Sequence, residues 1–127
     1  MSSVVLDASA LIAFLRNEPG AETVRFALPK AAISAVNLSE VLAKAPDSPK
    51  EYAMVKTTLR ALQLSIVAFD EEQSEIAAGL SSLTRSMGFS LGDRCCLALG
   101  LQLLLPVMTT DREWAKLPGG FQINVIR

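Results

Sequence analysis

Short apolar runs that stop at a polar residue and give way at once to helical spacing recur along this chain. That alternation restricts its fold more than any other feature. Val4-Val5-Leu6 ends at Asp7, and Ala10-Leu11-Ile12-Ala13-Phe14-Leu15 follows with the apolar character of a buried helix. Arg16 to Gly20 has turn chemistry, and Ala21 to Leu28 suits a second short helix. Pro29-Lys30 opens a strand over Ala31 to Ser34, and Leu38, Val41 and Leu42 have helical spacing after Asn37. A helix from Ser48 to Leu62 carries Pro49 at its first position, where the missing N–H does no harm. Ser65 to Phe69 reads as a strand, Asp70 to Ser86 as a helix closed by Gly88, and Ser90 to Leu104 as a helix apolar nearly all round. Val107-Met108-Thr109 and Gln122 to Ile126 are the remaining strands. Strands separated by helices need crossover connections, which give a parallel sheet covered on both faces. The expected fold is therefore α/β, a three-layer α/β/α sandwich with a mainly parallel central sheet, in one domain over residues 1–127. The helix from Cys95 to Leu104 fits the middle of such a sandwich or a subunit interface.

Composition matters chiefly for what it removes. With half of its 127 residues hydrophobic, the chain can offset its ordering entropy by burial, so disorder is excluded. It contains no histidine, which rules out Ser-His-Asp and Cys-His nucleophiles, paired-histidine zinc sites and an imidazole base. Cys95 and Cys96 are adjacent and lie in an apolar run, which reads as small core side chains in a reducing compartment. The N-terminus has no basic region and carries Asp7 within its apolar stretch, a poor signal peptide. The longest uncharged run, Cys95 to Thr110, is interrupted by Pro106 and falls short of the roughly 20 residues of a membrane span. A soluble, cytoplasmic protein without membrane contact is expected.

The chemistry must then rest on carboxylates. Ligands of an open parallel sheet bind at the carboxyl ends of its strands. Asp7 closes the first strand and Asp111 follows Val107-Met108-Thr109-Thr110, so both are expected on one edge. Glu40 and Asp93 stand in otherwise apolar helical surroundings. Each also has a plain structural reading. Asn37 with Glu40 and Ser90 with Asp93 have capping-box spacing, as do Ser48 with Glu51, Asp70 with Gln73 and Thr110 with Glu113. Asp7 is equally suited to cap a helix. Together, Asp7, Glu40, Asp93 and Asp111 are expected to begin helices and to converge on one sheet edge, where unscreened carboxylates repel. A hard cation such as Mg²⁺ or Mn²⁺ relieves that repulsion, since these ions prefer oxygen ligands.

On these residues the sequence resembles a known family, the PIN-domain ribonucleases, and within it the VapC-like toxins of toxin–antitoxin pairs. The similarity runs the length of the chain: Val5-Leu6-Asp7-Ala8-Ser9-Ala10-Leu11, Ser39-Glu40-Val41, Leu91-Gly92-Asp93-Arg94 with Cys95-Cys96-Leu97-Ala98, and Thr109-Thr110-Asp111-Arg112-Glu113-Trp114. Trp114 fills the aromatic position three residues after the last aspartate. The resemblance implies a PIN-like fold and metal-dependent endonucleolytic cleavage of RNA, leaving a 5′-phosphate and a 3′-hydroxyl. It implies that Asp7, Asp93 and Asp111 hold Mg²⁺ or Mn²⁺, directly or through water. Glu40 would complete the acidic site and orient or help deprotonate the attacking water. Ser9 and Thr110 are auxiliary candidates, donating to a carboxylate or phosphate, or simply capping helices.

An RNA substrate calls for cations, yet 12 basic residues face 13 acidic ones. Arg16, Lys44, Arg94, Arg112 and Lys116 lie nearest the motifs in sequence, with Arg94 and Arg112 the candidate phosphate contacts. The resemblance further implies a homodimer and a cognate antitoxin whose C-terminal segment blocks the acids. Ala10 to Leu15 and the helix from Glu51 to Leu62 are candidates for the groove that receives it, or are ordinary core-facing helices. Three other readings stay open: an RNA-maturation nuclease without an antitoxin, a phosphotransferase with Asp7 as nucleophile, and a non-catalytic binding module whose acids only cap helices.

Overall fold

A computed structural model of the chain describes residues 1–127. Its centre is a five-stranded sheet ordered β3-β2-β1-β4-β5. The strands are β1 (Val4–Leu6), β2 (Ala31–Ser34), β3 (Ser65–Val67), β4 (Val107–Thr109) and β5 (Ile123–Val125). All four pairings are parallel, with Val5 level with Ala32 on one side and with Val107 on the other. The expected α/β/α sandwich is the fold observed.

The central strand shows why the sheet needs two helical layers. Successive strand side chains point to opposite faces. Val4 and Leu6 join Leu11, Val24, Ile33, Val41 and Met108 in one core, while Val5 joins Ala32, Leu97, Leu99, Val107 and Trp114 in the other. The first core is covered by α1 (Ala8–Leu15), α2 (Ala21–Ala27), α3 (Ala35–Lys44) and α4 (Pro49–Leu62). The second is covered by α7 (Leu91–Leu103), with α5 (Glu71–Gly79) packed on α7 and Leu80 reaching in just before α6 (Ser81–Thr84). The apolar helix expected at Cys95 to Leu104 is thus the layer lying on β1 and β2. Gly100 lets it approach so closely that a Cβ there would sit 2.6 Å from Val107 Cγ2.

Three local expectations are corrected. The helix read from Asp70 to Ser86 is broken at Leu80, and its end from Arg85 to Met87 is a 3₁₀ turn. Gly79, Ser81 and Ser82 are weak helix formers, and Leu80 is buried in the second core. The helix expected after Asn37 starts at Ala35, because the Ser34 hydroxyl accepts from the Val36 amide at 3.2 Å. Asn37 therefore is not a cap, and Glu40 lies inside the helix rather than at its start. The turn after β4 is capped by Asp111, which accepts from the Glu113 amide, and not by Thr110.

Candidate active site

Parallel strands send every strand-to-helix connection to the same edge, and the acids meet there. Asp7, Glu40, Asp93 and Asp111 all line one cavity of about 260 Å³, together with Ser9, Asn37, Lys44 and Trp114. Asp7 comes from the end of β1, Asp111 from the turn after β4, Glu40 from the second turn of α3, and Asp93 from the first turn of α7.

Asp7 is the most tightly held. Its Oδ1 accepts from Ser9 Oγ at 2.7 Å and from the Ala10 amide at 2.8 Å, and its Oδ2 accepts from Thr109 Oγ1 at 2.5 Å. The β1–β4 register places Leu6 beside Met108, so Asp7 and Thr109 come level at the next step. Asp7 is only 5% exposed, and burial pushes its carboxyl up to about 6. The bonds from Thr109, Ser9 and Ala10 pull it back down, while the charge of Asp93 adds to the rise.

The other three acids share a simpler arrangement. Asp93 Oδ2 accepts from the Ser90 amide, closing a full capping box, and Asp111 Oδ1 accepts from the Glu113 amide. Glu40 Oε1 accepts from Asn37 Nδ2 at 2.8 Å, and the same amide donates to the Gly92 carbonyl at 3.0 Å, tying α3 to α7. One oxygen of each carboxylate is thereby fixed by the protein, and the other has no donor within the chain. Asp7, Asp93 and Asp111 thus cap helices and line the cavity at the same time, so capping does not take them out of the candidate site. No three of the acids or cysteines stand close enough to enclose a bare ion by themselves.

The acids also act on the layer beneath them. Burial pushes the Cys96 thiol up strongly, and Asp7, Asp93 and Glu40 push it further in that direction. Burial and then Glu40 raise Cys95. Both thiols are free and stay protonated, as core side chains.

The remaining candidates divide. Ser9 lines the cavity and its hydroxyl accepts from the Thr110 amide at 3.0 Å, whereas Thr110 itself does not line it. Neither Arg94 nor Arg112 lines the cavity, and Arg112 Nε donates to the Arg127 carbonyl at 2.9 Å. Sequence reasoning missed two residues. Thr109, fully buried, holds Asp7, and its signal was its place at the end of a strand paired with β1. Asn37 holds Glu40, and its signal was the spacing that had suggested a cap.

Gly92 gives a direct test of this geometry. A Cβ there would stand 2.5 Å from Glu40 Oε2 and 2.7 Å from Oε1. Since the obstacle is the end of a flexible side chain, Gly92→Ala is expected to fold with a melting temperature near that of the parent. Its Glu40 carboxylate is displaced, so the activity proposed below is expected to fall by about 10²-fold, the consequence of an ångström's misplacement where that carboxylate takes part in the reaction. Thermal melts and turnover measured on one preparation check both halves.

An acidic cleft at the carboxyl edge of a parallel sheet defines the class: an α/β domain whose site is made of oxygen donors. The chain belongs to the PIN domain family, whose model matches residues 4–120. Its fold is similar to that of a toxin-antitoxin complex from Klebsiella pneumoniae, at 23% identity over 98% of each chain with a TM-score of 0.75. It is similar to the DNA-bound VapBC from Salmonella typhimurium at 18% identity over 98% of each chain, TM-score 0.76. It is also similar to VapBC-5 from Mycobacterium tuberculosis at 23% identity, over 100% of this chain and 99% of that one, TM-score 0.62. No match was found among curated protein sequences. No helix is long and apolar enough to cross a membrane.

Proposed function

We propose that this chain is a Mg²⁺- or Mn²⁺-dependent endoribonuclease and the toxin of a toxin–antitoxin pair. The observation that carries the reading is the set of four carboxylates around one cavity, three with an oxygen that no protein group satisfies. The donor set fits a hard divalent cation: it is all oxygen, and one member is so poorly solvated that its carboxyl rises to about 6. Asp7, Asp93 and Asp111 would hold the ion with water completing its shell, as Mg²⁺ ordinarily retains several waters. When bound, such an ion acidifies a water and offsets charge on the phosphoryl oxygens. Glu40, pinned through Oε1, presents Oε2 as the base that takes a proton from the water attacking the phosphodiester. Ser9 and Thr109 keep Asp7 aimed through its two oxygens, one hydroxyl on each.

The antitoxin part of the reading rests on a second feature. A groove of about 700 Å³ runs between the α1 end and α4, lined by Phe14, Leu15, Arg16, Ala45, Met54 and Val55 among others. α4 is not an ordinary core helix, since only Leu59 is buried and Met54 is 60% exposed. The groove reaches Ala45 while the acidic cavity reaches Lys44, so an extended segment lying in one can put its end in the other. Solved structures of similar fold are complexes of toxin with antitoxin, which agrees with a partner-binding groove.

Purified protein is expected to cut single-stranded RNA with Mg²⁺ or Mn²⁺ present and to lose all cleavage with EDTA, regaining it when the ion is restored. Product-end mapping should find 5′-phosphates. Cleavage that persists unchanged in chelator would sink the reading.

A further inference from the structure

We propose that Lys44 is a substrate-positioning residue that grips a backbone phosphate of the RNA beside the acidic site. This rests on the nuclease reading above. Of the five cations near the motifs, the structure accounts for three elsewhere. Arg16 Nη2 donates to the Lys44 carbonyl at 2.7 Å, Arg112 is tied to the Arg127 carbonyl, and Lys116 pairs with Glu113 at 2.8 Å. Arg94 lies outside the cavity lining. Lys44 is the one basic residue that lines the cavity, and its ammonium makes neither a salt bridge nor a hydrogen bond.

Its position is fixed from both sides. Lys44 is the last residue of α3, one turn beyond Glu40, so both side chains leave the same face of the helix. That spacing ordinarily yields an intrahelical ion pair. Here no Glu40–Lys44 pair forms, although Asn37 occupies only Oε1 of Glu40. Arg16 meanwhile ties down the Lys44 and Ala45 carbonyls, at 2.7 and 3.5 Å, which holds the helix end at the cavity rim. A lone, exposed ammonium at the edge of an acidic cleft suits a polyanion that must approach carboxylates. It lowers the repulsion that RNA meets there and acts as a point charge on a non-bridging phosphate oxygen. Such a contact binds substrate and transition state alike, so it should set KM and leave kcat alone.

The test uses the full chain and a single-stranded RNA oligonucleotide. Lys44→Ala should raise KM about 10-fold with kcat unchanged, and Lys44→Arg should recover most of the loss. In an Asp7→Asn background with Mg²⁺, where RNA is bound but not cut, the slope of log Kd against log[KCl] should flatten by about 0.7 on removing Lys44, one phosphate contact on a single strand. Lys50→Ala, on the exposed start of α4, should leave the slope unchanged. A purely structural Lys44 that only tunes Glu40 would lower kcat, shift the pH profile and leave the salt slope alone, and that outcome overturns the proposal. An equal slope change in Lys50→Ala overturns it too, by showing diffuse attraction. If the parent neither binds nor cuts RNA, the nuclease reading falls and takes this inference with it. Cleavage by the parent with an unaltered Lys44→Ala removes this inference alone.

Discussion

Asp7→Asn is expected to abolish RNA cleavage, by about 10³-fold or more, while making the metal-free protein more stable than its parent. The two effects share a cause. In the folded chain the buried Asp7 carboxyl titrates near 6, against 3.8 when solvated, so the folded state holds a proton that the unfolded state has released. Stability contributed by this group therefore falls as pH rises from about 4 to 6 and stays low above that, a loss of about 3 kcal/mol at neutral pH. Asparagine removes the charge and keeps the acceptor for Ser9 and Ala10. Its amide faces Thr109 Oγ1, which must redirect its proton, and the lost bond is worth about 1 kcal/mol. The net gain is about 2 kcal/mol at pH 7 and shrinks towards zero or below by pH 4. Urea unfolding of both proteins in chelator, at several pH values, reads the difference directly. A parent and variant that differ equally at pH 4 and pH 7 would show that Asp7 is not the desolvated carboxylate described.

Trp114→Ala should cause the largest loss of stability of any single substitution considered, about 3–5 kcal/mol. Trp114 is 1% exposed, stacks on Phe89 with ring centroids 5.2 Å apart, and is the largest fully buried side chain. A small domain has only about 5–15 kcal/mol in all, so much of the margin goes. The 3₁₀ turn Arg112–Lys116 hangs on this ring, and Asp111 caps that turn. Activity should therefore fall further than the unfolded fraction explains. Trp114→Phe, which refills part of the space, should lose less on both counts in parallel urea and cleavage measurements.

Much of this was legible in the sequence, and the reasons are particular. β1 and β4 are short β-branched runs, each followed by a carboxylate, and the parallel topology then forces Asp7 and Asp111 to one edge. Asp93 was legible as a cap and as a candidate for the cavity at once: Ser90 and Asp93 form the capping box, and Asp93 lines the cavity with one oxygen free. Glu40 was expected at the sheet edge and does line the cavity, but not as the start of a helix. Ser34 starts the helix one turn earlier than Asn37 would, and only the folded structure reveals that Asn37 reaches across to α7. Contacts between distant segments, such as Gly92 against Glu40 or Thr109 against Asp7, leave no local pattern to read. The break at Leu80 likewise depends on a buried anchor that propensity alone does not register.

Strand β1 is completed only by β4, whose Thr109 lies 102 residues after Asp7. The Val5 and Asp7 amides donate to the Pro106 and Met108 carbonyls, and Asp7 receives its hydroxyl from Thr109. A growing polypeptide that has not yet delivered residues 106 to 114 has an unfilled seam along the middle of its sheet and lacks Asp111 altogether. On the proposed reading the chain cannot act as a nuclease until β4 and the turn after it have docked on β1, an interval in which a protective partner can meet the segments already made.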